Sequence, residues 1–346
     1  MKKQLRLLLS LSVVLLAGAF YLRSRDSWRL KTIFQSSGEV SHLVFSSDGQ
    51  SLLVVNSVST LPPGMVPDRV TAFSSNPRYG PKRLWQRNLN LWFEKDLQFF
   101  DHNARILAGG DSIRVLDART GLNRASYGML NKAVISSDDR WMAYSTLGND
   151  RRVHLRPVVS LSRLPIPTRV LGKQGEFAHD FAFSPDDKRL LVSVQKNNSS
   201  RLDVYDTKTW RSTCTWNILG NILPDGSPSV IQQVRWSYDG QHVLCYYLRL
   251  DNNLGLKLFR VRDGKTLSTF LIPPTMLEPF IQSDGRILSV DTKGHVFLRA
   301  LKPLSATDKP LLFLPNEAVS TAALSPNGSV LVVGTYKGRV LWQRLK

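Results

Sequence analysis

One phrase recurs along this chain and limits what it can fold into: a short apolar run, a polar turn centred on Asp and Gly, then a second apolar run. It reads Phe45-Ser46-Ser47-Asp48-Gly49 before Leu52-Leu53-Val54-Val55, and Ile135-Ser136-Ser137-Asp138-Asp139 before Trp141-Met142-Ala143-Tyr144. It returns as Phe183-Ser184-Pro185-Asp186-Asp187, Trp236-Ser237-Tyr238-Asp239-Gly240, Ile281-Gln282-Ser283-Asp284-Gly285 and Leu324-Ser325-Pro326-Asn327-Gly328, each followed by an apolar run. A weaker copy, Phe99-Phe100-Asp101-His102-Asn103 before Ile106-Leu107, brings the total to seven. Pro at the second turn position presets φ, Asp bonds its local backbone, and Gly or Asn tolerates positive φ, so the phrase joins two antiparallel strands tightly.

The turns end at residues 49, 103, 139, 187, 240, 285 and 328, a mean spacing of about 46 residues, which is what one four-stranded propeller blade requires. A third strand and a second polar turn generally follow, as in Ile113-Arg114-Val115-Leu116-Asp117 with Arg119-Thr120-Gly121, or Leu202-Asp203-Val204-Tyr205-Asp206 with Thr207-Lys208-Thr209. Fourth strands are clearest in Lys265 to Phe270 and Arg211 to Trp216. The expected fold is all-β: a seven-bladed β-propeller of four-stranded antiparallel blades over residues 26–346, probed by no second domain boundary, since Pro and Gly are spread evenly. The last repeat stops after its third strand, Arg339 to Arg344, so its fourth is expected from the N-terminal side, at about residues 28–35. Such closure removes an exposed sheet edge. These repeats resemble the WD40 family, with its Ser-Pro-Asp-Gly-like turn, third strand and Thr-Gly turn. The family's Gly-His dipeptide is missing from every repeat, and its Trp-Asp survives only as Leu116-Asp117 and Tyr205-Asp206.

Residues 1–25 stand apart. Lys2, Lys3 and Arg6 precede an uncharged apolar stretch from Leu7 to Leu22, closed by Arg23 and Arg25. Its sixteen residues would span roughly 24 Å as a helix. A membrane anchor and a cleaved signal peptide both fit, the latter through the small residues Ala17-Gly18-Ala19. The expected location is therefore membrane-anchored or exported, with the periplasmic or extracellular side preferred. Two cysteines, Cys214 and Cys245, make no disulfide framework.

Catalytic motifs are missing: there is no Gly-x-Ser-x-Gly, no His-Glu-x-x-His and no phosphate-cradling glycine loop. The six histidines, 42, 102, 154, 179, 242 and 295, fall in different strand classes, so no metal site, cofactor or catalytic residue is assigned. The recurring Asp48, Asp138, Asp186, Asp239 and Asp284 read as turn formers. A lactonase-like or other hydrolytic propeller, with its site in the central channel, is the alternative to a non-catalytic scaffold.

Charge gives the sharper functional expectation. Of the formal net charge of +19, the leader holds only Lys2, Lys3 and Arg6, so the basicity belongs to the propeller. Links between second and third strands open on one face, and they carry Arg69, Arg151, Arg152, Lys196, Arg201, Arg249, Lys293, Lys337 and Arg339. Asp68, Asp111, Asp150, Asp251 and Asp291 dilute them. The expectation is a monomeric propeller that captures an acidic protein, or an anionic lipid or polymer, on this basic face. Nucleic acid is disfavoured, because no aromatic reading motif is interleaved with the basic residues.

Overall fold

The computed structural model describes residues 31–57, 68–76, 80–89, 91, 97–109, 112–128, 130–146, 148, 150–158, 169–196, 199–219, 231–237, 239–248, 254–272, 280–281, 286–291, 293–299, 310–314 and 317–345. Strand β1 (Lys31–Gln35) comes first. Blade 1 is β2 (Glu39–Phe45), β3 (Ser51–Ser57), β4 (Asp68–Asn76) and β5 (Gly80–Leu89). Blade 2 is β6 (Leu97–Phe100), β7 (Arg105–Ala108), β8 (Ile113–Asp117) and β9 (Asn123–Tyr127); blade 3 is β10 (Leu130–Ile135), β11 (Trp141–Thr146), β12 (Val153–Pro157) and β13 (Arg169–Leu171). Blade 4 is β14 (Phe177–Phe183), β15 (Arg189–Lys196), β16 (Ser199–Asp206) and β17 (Ser212–Leu219); blade 5 is β18 (Ile231–Trp236), β19 (His242–Leu248), β20 (Leu254–Arg260) and β21 (Thr266–Ile272). Blade 6 is β22 (Phe280–Ile281), β23 (Ile287–Val290), β24 (His295–Arg299) and β25 (Leu312–Phe313), and blade 7 begins with β26 (Val319–Leu324), β27 (Val330–Thr335) and β28 (Arg339–Arg344).

Blade 7 is completed by β1, which pairs antiparallel with β28 so that Lys31 faces Trp342 and Gln35 faces Arg339. The closing strand expected over about 28–35 is thus present from Lys31, and Trp28 to Leu30 lie outside the described residues. So does the apolar run 7–22; among the described residues no helix is long and apolar enough to cross a membrane.

Each sheet buries both of its faces against neighbours, which is why the second strands read as unbroken apolar runs. Leu52 to Val55 of β3 and Leu331 to Val333 of β27 are fully buried. The hydrophobic clusters lie between blades. Leu53, Val55 and Val70 of blade 1 meet Ile106 and Leu116 of blade 2, and Val332 and Val340 of blade 7 meet Val40 and Val54 of blade 1. At that last seam the backbones come so close that a Cβ on Gly334 would lie 2.5 Å from the Val40 side chain. First strands of adjacent blades pack together, as β14 does with β18 and β2 with β26, so they line the axis. The fourth strands, such as β1 and β9, are the exposed rim.

Antiparallel order puts the turns between first and second and between third and fourth strands at one end, here the Asp-turn face. The remaining turns and the blade-to-blade links share the opposite end, the linker face. On the Asp-turn face the serine that opens five of the seven phrases is the pivot. Ser46 Oγ donates to Asp48 Oδ1 at 2.5 Å and accepts from Ser51 N at 2.8 Å, while Gln50 N donates to Asp48 Oδ1 at 2.9 Å. The same serine-to-carboxylate bond joins Ser136 to Asp138, Ser184 to Asp186 and Ser237 to Asp239, with Ser325 donating to Asn327 in the same way.

The turn's last residue has positive φ, +68° at Gly49 and +64° at Gly240, but also +58° at Asp139 and +54° at Asp187. A non-glycine residue is strained there, and these side chains offset the strain by bonding the preceding blade. Asp187 accepts from Ser137 N and Asp138 N, both at 2.8 Å, Asp139 from His102 N at 3.2 Å, and Asn103 from Ser47 N at 3.2 Å. Blades 1 to 4 are thereby tied edge to edge.

Candidate functional site

The channel wall carries a second regularity. Five first strands are bulged at the same place, between Val40 and His42, Leu130 and Lys132, Ala178 and Asp180, Ile231 and Gln233, and Val319 and Thr321. A bulge on the inner edge interrupts a row of unpaired backbone groups. The residue after each bulge, four before the turn serine, is polar every time: His42, Lys132, Asp180, Gln233 and Thr321. In blades 3 and 4 this position holds a charged group, Lys132 and Asp180.

Lys132 Nζ lies 2.5 Å from Asp180 Oδ1, and the two side chains are only 5% and 1% exposed. Asp180 Oδ2 accepts from Val234 N at 2.6 Å and lies 3.4 Å from Arg235 Nη1, and Oδ1 also accepts from Phe181 N at 2.9 Å. Both oxygens of this carboxylate are occupied, so it binds three first strands together across two blade seams. Sequence reasoning missed the group; its one signal was a polar residue at a fixed offset inside an apolar strand.

Against the expectation, His42 and His179 share the first-strand class and His154 and His295 the third, but the first pair stands on blades 1 and 4 and the second on blades 3 and 6; His179 Nε2 lies 2.5 Å from Gln195 Oε1. Asp101, His102 and Asp139 bring ligand atoms within 4.8 Å of one another at the Asp-turn face. There Arg105 Nε already lies 3.0 Å from Asp101, and the His102 backbone N–H occupies Asp139. Asp48, Asp138, Asp186 and Asp239 are held within their turns as described, and Asp284 lies outside the described residues.

On the linker face the basic residues divide into two sets. Arg152 is held by Asp150, with Nε 2.7 Å and Nη2 2.9 Å from its oxygens. Arg201 bridges Glu176 and Asp203, each at 2.9 Å, and Arg339 pairs with Glu317 while donating to Thr32 Oγ1 at 2.9 Å. Arg69, half-buried, opens β4 beside the buried Asp68, which accepts from Ser57 Oγ at 2.8 Å. By contrast Arg151, Lys196, Lys293 and Lys337 are exposed and form no ion pair within the described residues; the Arg151 guanidinium sits over the Phe177 ring at 5.6 Å. Arg249 lies outside the described residues.

The described carboxylates of that face are committed; Asp111 and Asp251 lie outside the described residues. The Arg152 hydrogen bond holds the Asp150 carboxyl below its ordinary value. At Glu176 burial pushes the pKa up, but hydrogen bonds from Arg201 and the Lys173 N–H outweigh it, and the net direction is down. Asp291 accepts from His295 Nδ1 at 2.8 Å and from Lys293 N at 3.0 Å. Among the described residues, what remains uncompensated on the face is positive, distributed over blades 3, 4, 6 and 7. No family model matches the sequence, and no curated protein matches it closely.

Proposed function

We propose that this chain is a non-catalytic binding propeller of WD40-like repeats, membrane-tethered or exported through its N-terminal segment, that captures an acidic partner on its linker face. The observation that carries this reading is the set Arg151, Lys196, Lys293 and Lys337: four exposed cations on four blades, where the described carboxylates Asp150, Glu176, Asp291 and Glu317 already have partners. Cations spread around one rim raise the encounter rate with an extended anionic surface, and salt weakens the effect as the screening length falls to ~8 Å near physiological strength. Binding rather than turnover is supported by Asp180, the buried channel-wall carboxylate, whose two oxygens are occupied by structural bonds.

The test uses full-length protein on immobilised polyglutamate at rising salt. Reversal of Arg151, Lys196, Lys293 and Lys337 to Glu abolishes retention, whereas reversal of Arg119, Lys208, Arg262 and Lys265, on turns of the opposite face, leaves it largely intact. Equal weakening by the two sets means that only net charge matters, and rejects the face.

A further inference from the structure

We infer that in the tethered protein the Asp-turn face lies against the bilayer and the linker face points away from it, so that the basic rim is offered to a soluble acidic partner and not to lipid of the same membrane. This rests on the tethered reading above and adds a direction to it.

The direction comes from the closing strand. β28 starts at Arg339 on the linker face and ends at Arg344 on the Asp-turn face, and β1 runs opposite to it. The linker-face end of β1 is pinned there: Gln35 Nε2 donates to Lys337 O at 2.7 Å and Ser36 N to Gly338 O at 2.9 Å. Lys31, opposite Trp342, is at the other end. The chain therefore enters the ring from the Asp-turn side.

Between the apolar run ending at Leu22 and the start of β1 lie only residues 23–30. Fully extended, those eight residues reach roughly 28 Å. With the linker face toward the membrane, the connection would first have to climb the rim alongside β1, about 17 Å for a five-residue strand, and then clear the turns of that face. With the Asp-turn face inward it has no climb to make. Arg23, Arg25 and Arg29 fall within this short connection in the sequence, and basic residues next to an apolar span suit anionic headgroups.

The chemistry of the inward face agrees. Its acids are held locally: Asp186 by Ser184, Asp206 by Thr209, and Asp263 by Arg260, which draws that carboxyl down to about 2. Lys188, Lys208, Arg211, Arg262 and Lys265 stand exposed around the same face, suited to anionic headgroups.

The test reconstitutes the full chain, carrying Cys214→Ser, into vesicles of phosphatidylcholine and phosphatidylserine containing a lipid with a headgroup nitroxide. Cys245 is fully buried and leaves no second labelling site. Single cysteines are placed by Lys208→Cys or Arg262→Cys on one face and Lys196→Cys or Lys293→Cys on the other, and each carries a fluorophore. Co-flotation with vesicles establishes the tether independently. The expected result is loss of fluorescence at positions 208 and 262 with none at 196 and 293. Floating protein with equal or reversed quenching overturns the orientation alone, and protein that does not float overturns the tether and the orientation with it.

Discussion

Arg201→Met keeps the aliphatic stem of a linker-face arginine and removes the guanidinium that bridges two blade elements. The Glu176 and Asp203 side chains it neutralises are 4% and 5% exposed, and Arg201 itself is 23% exposed. Thr215 Oγ1 still donates to Asp203 Oδ1 at 2.8 Å, and Lys173 N to Glu176 Oε2 at 2.9 Å, so each carboxylate keeps one polar contact but loses its counter-ion. Breaking a buried pair costs 3–5 kcal/mol, and the partial exposure of the arginine puts the expected loss near the low end, about 3 kcal/mol. For a domain of this size that lowers Tm by about 4–5 °C. The deficit also depends on pH. In the intact protein the net shift at Glu176 is downward, so its contribution is present above its unfolded pKa and is lost as pH falls through the folded value. In Arg201→Met burial prevails and the folded pKa rises, so that variant gains stability relative to its unfolded chain as pH falls. The gap between the two proteins must therefore narrow between about pH 7.5 and pH 5. Thermal melts by circular dichroism at the two pH values measure it, and adding Glu176→Gln to Arg201→Met should restore part of the loss at neutral pH. A Tm unchanged within about 1 °C, or a gap of the same size at both pH values, would refute the reasoning.

The turn ties predict an ordering at one residue: Asp187→Gly loses the bonds to Ser137 and Asp138 but accepts positive φ, whereas Asp187→Ala loses both advantages and should be the less stable by about 1 kcal/mol in urea titrations. Acid should erode the whole Asp-turn face together. At Asp138, Asp186 and Asp239 burial pushes the pKa up, but the serine hydroxyl and the backbone N–H two residues on outweigh it, and the net direction is down. Stability is then flat above about pH 5 and falls below about pH 4, and Ser184→Ala should make that fall shallower in melts across the range.

What could be read from sequence was local. The turn phrase specifies its own hairpin through Ser46, Asp48 and Gly49, all within a few residues, and repetition carried that hairpin around the ring. Closure was legible because blade 7 lacks a fourth strand in sequence and Lys31 to Gln35 has the pattern of one. The polar position four before the turn serine is also periodic, but its meaning depends on contacts between blades: Lys132 and Asp180 stand 48 residues apart, and nothing in either strand announces the other. The division of the basic residues was hidden for the same reason. Arg201 and Arg339 look like Lys196 and Lys337 in sequence, and only the placement of Glu176 and Glu317 on the preceding links turns the first two inward.

The borrowed fourth strand of blade 7 also sets an order of events during synthesis. Gln35 and its partner Lys337 are 302 residues apart, so at ~5–20 residues per second β1 leaves the ribosome roughly 15–60 s before β28 exists. Blades 1 to 6 form from neighbouring hairpins and can propagate in sequence as they emerge. Ile33 and Phe34 of β1, by contrast, wait without the surface they pack on. Once β28 emerges, the vacancy in blade 7 accepts any waiting β1, including one from a second copy of the chain, and crowded nascent chains would exchange this strand before any other.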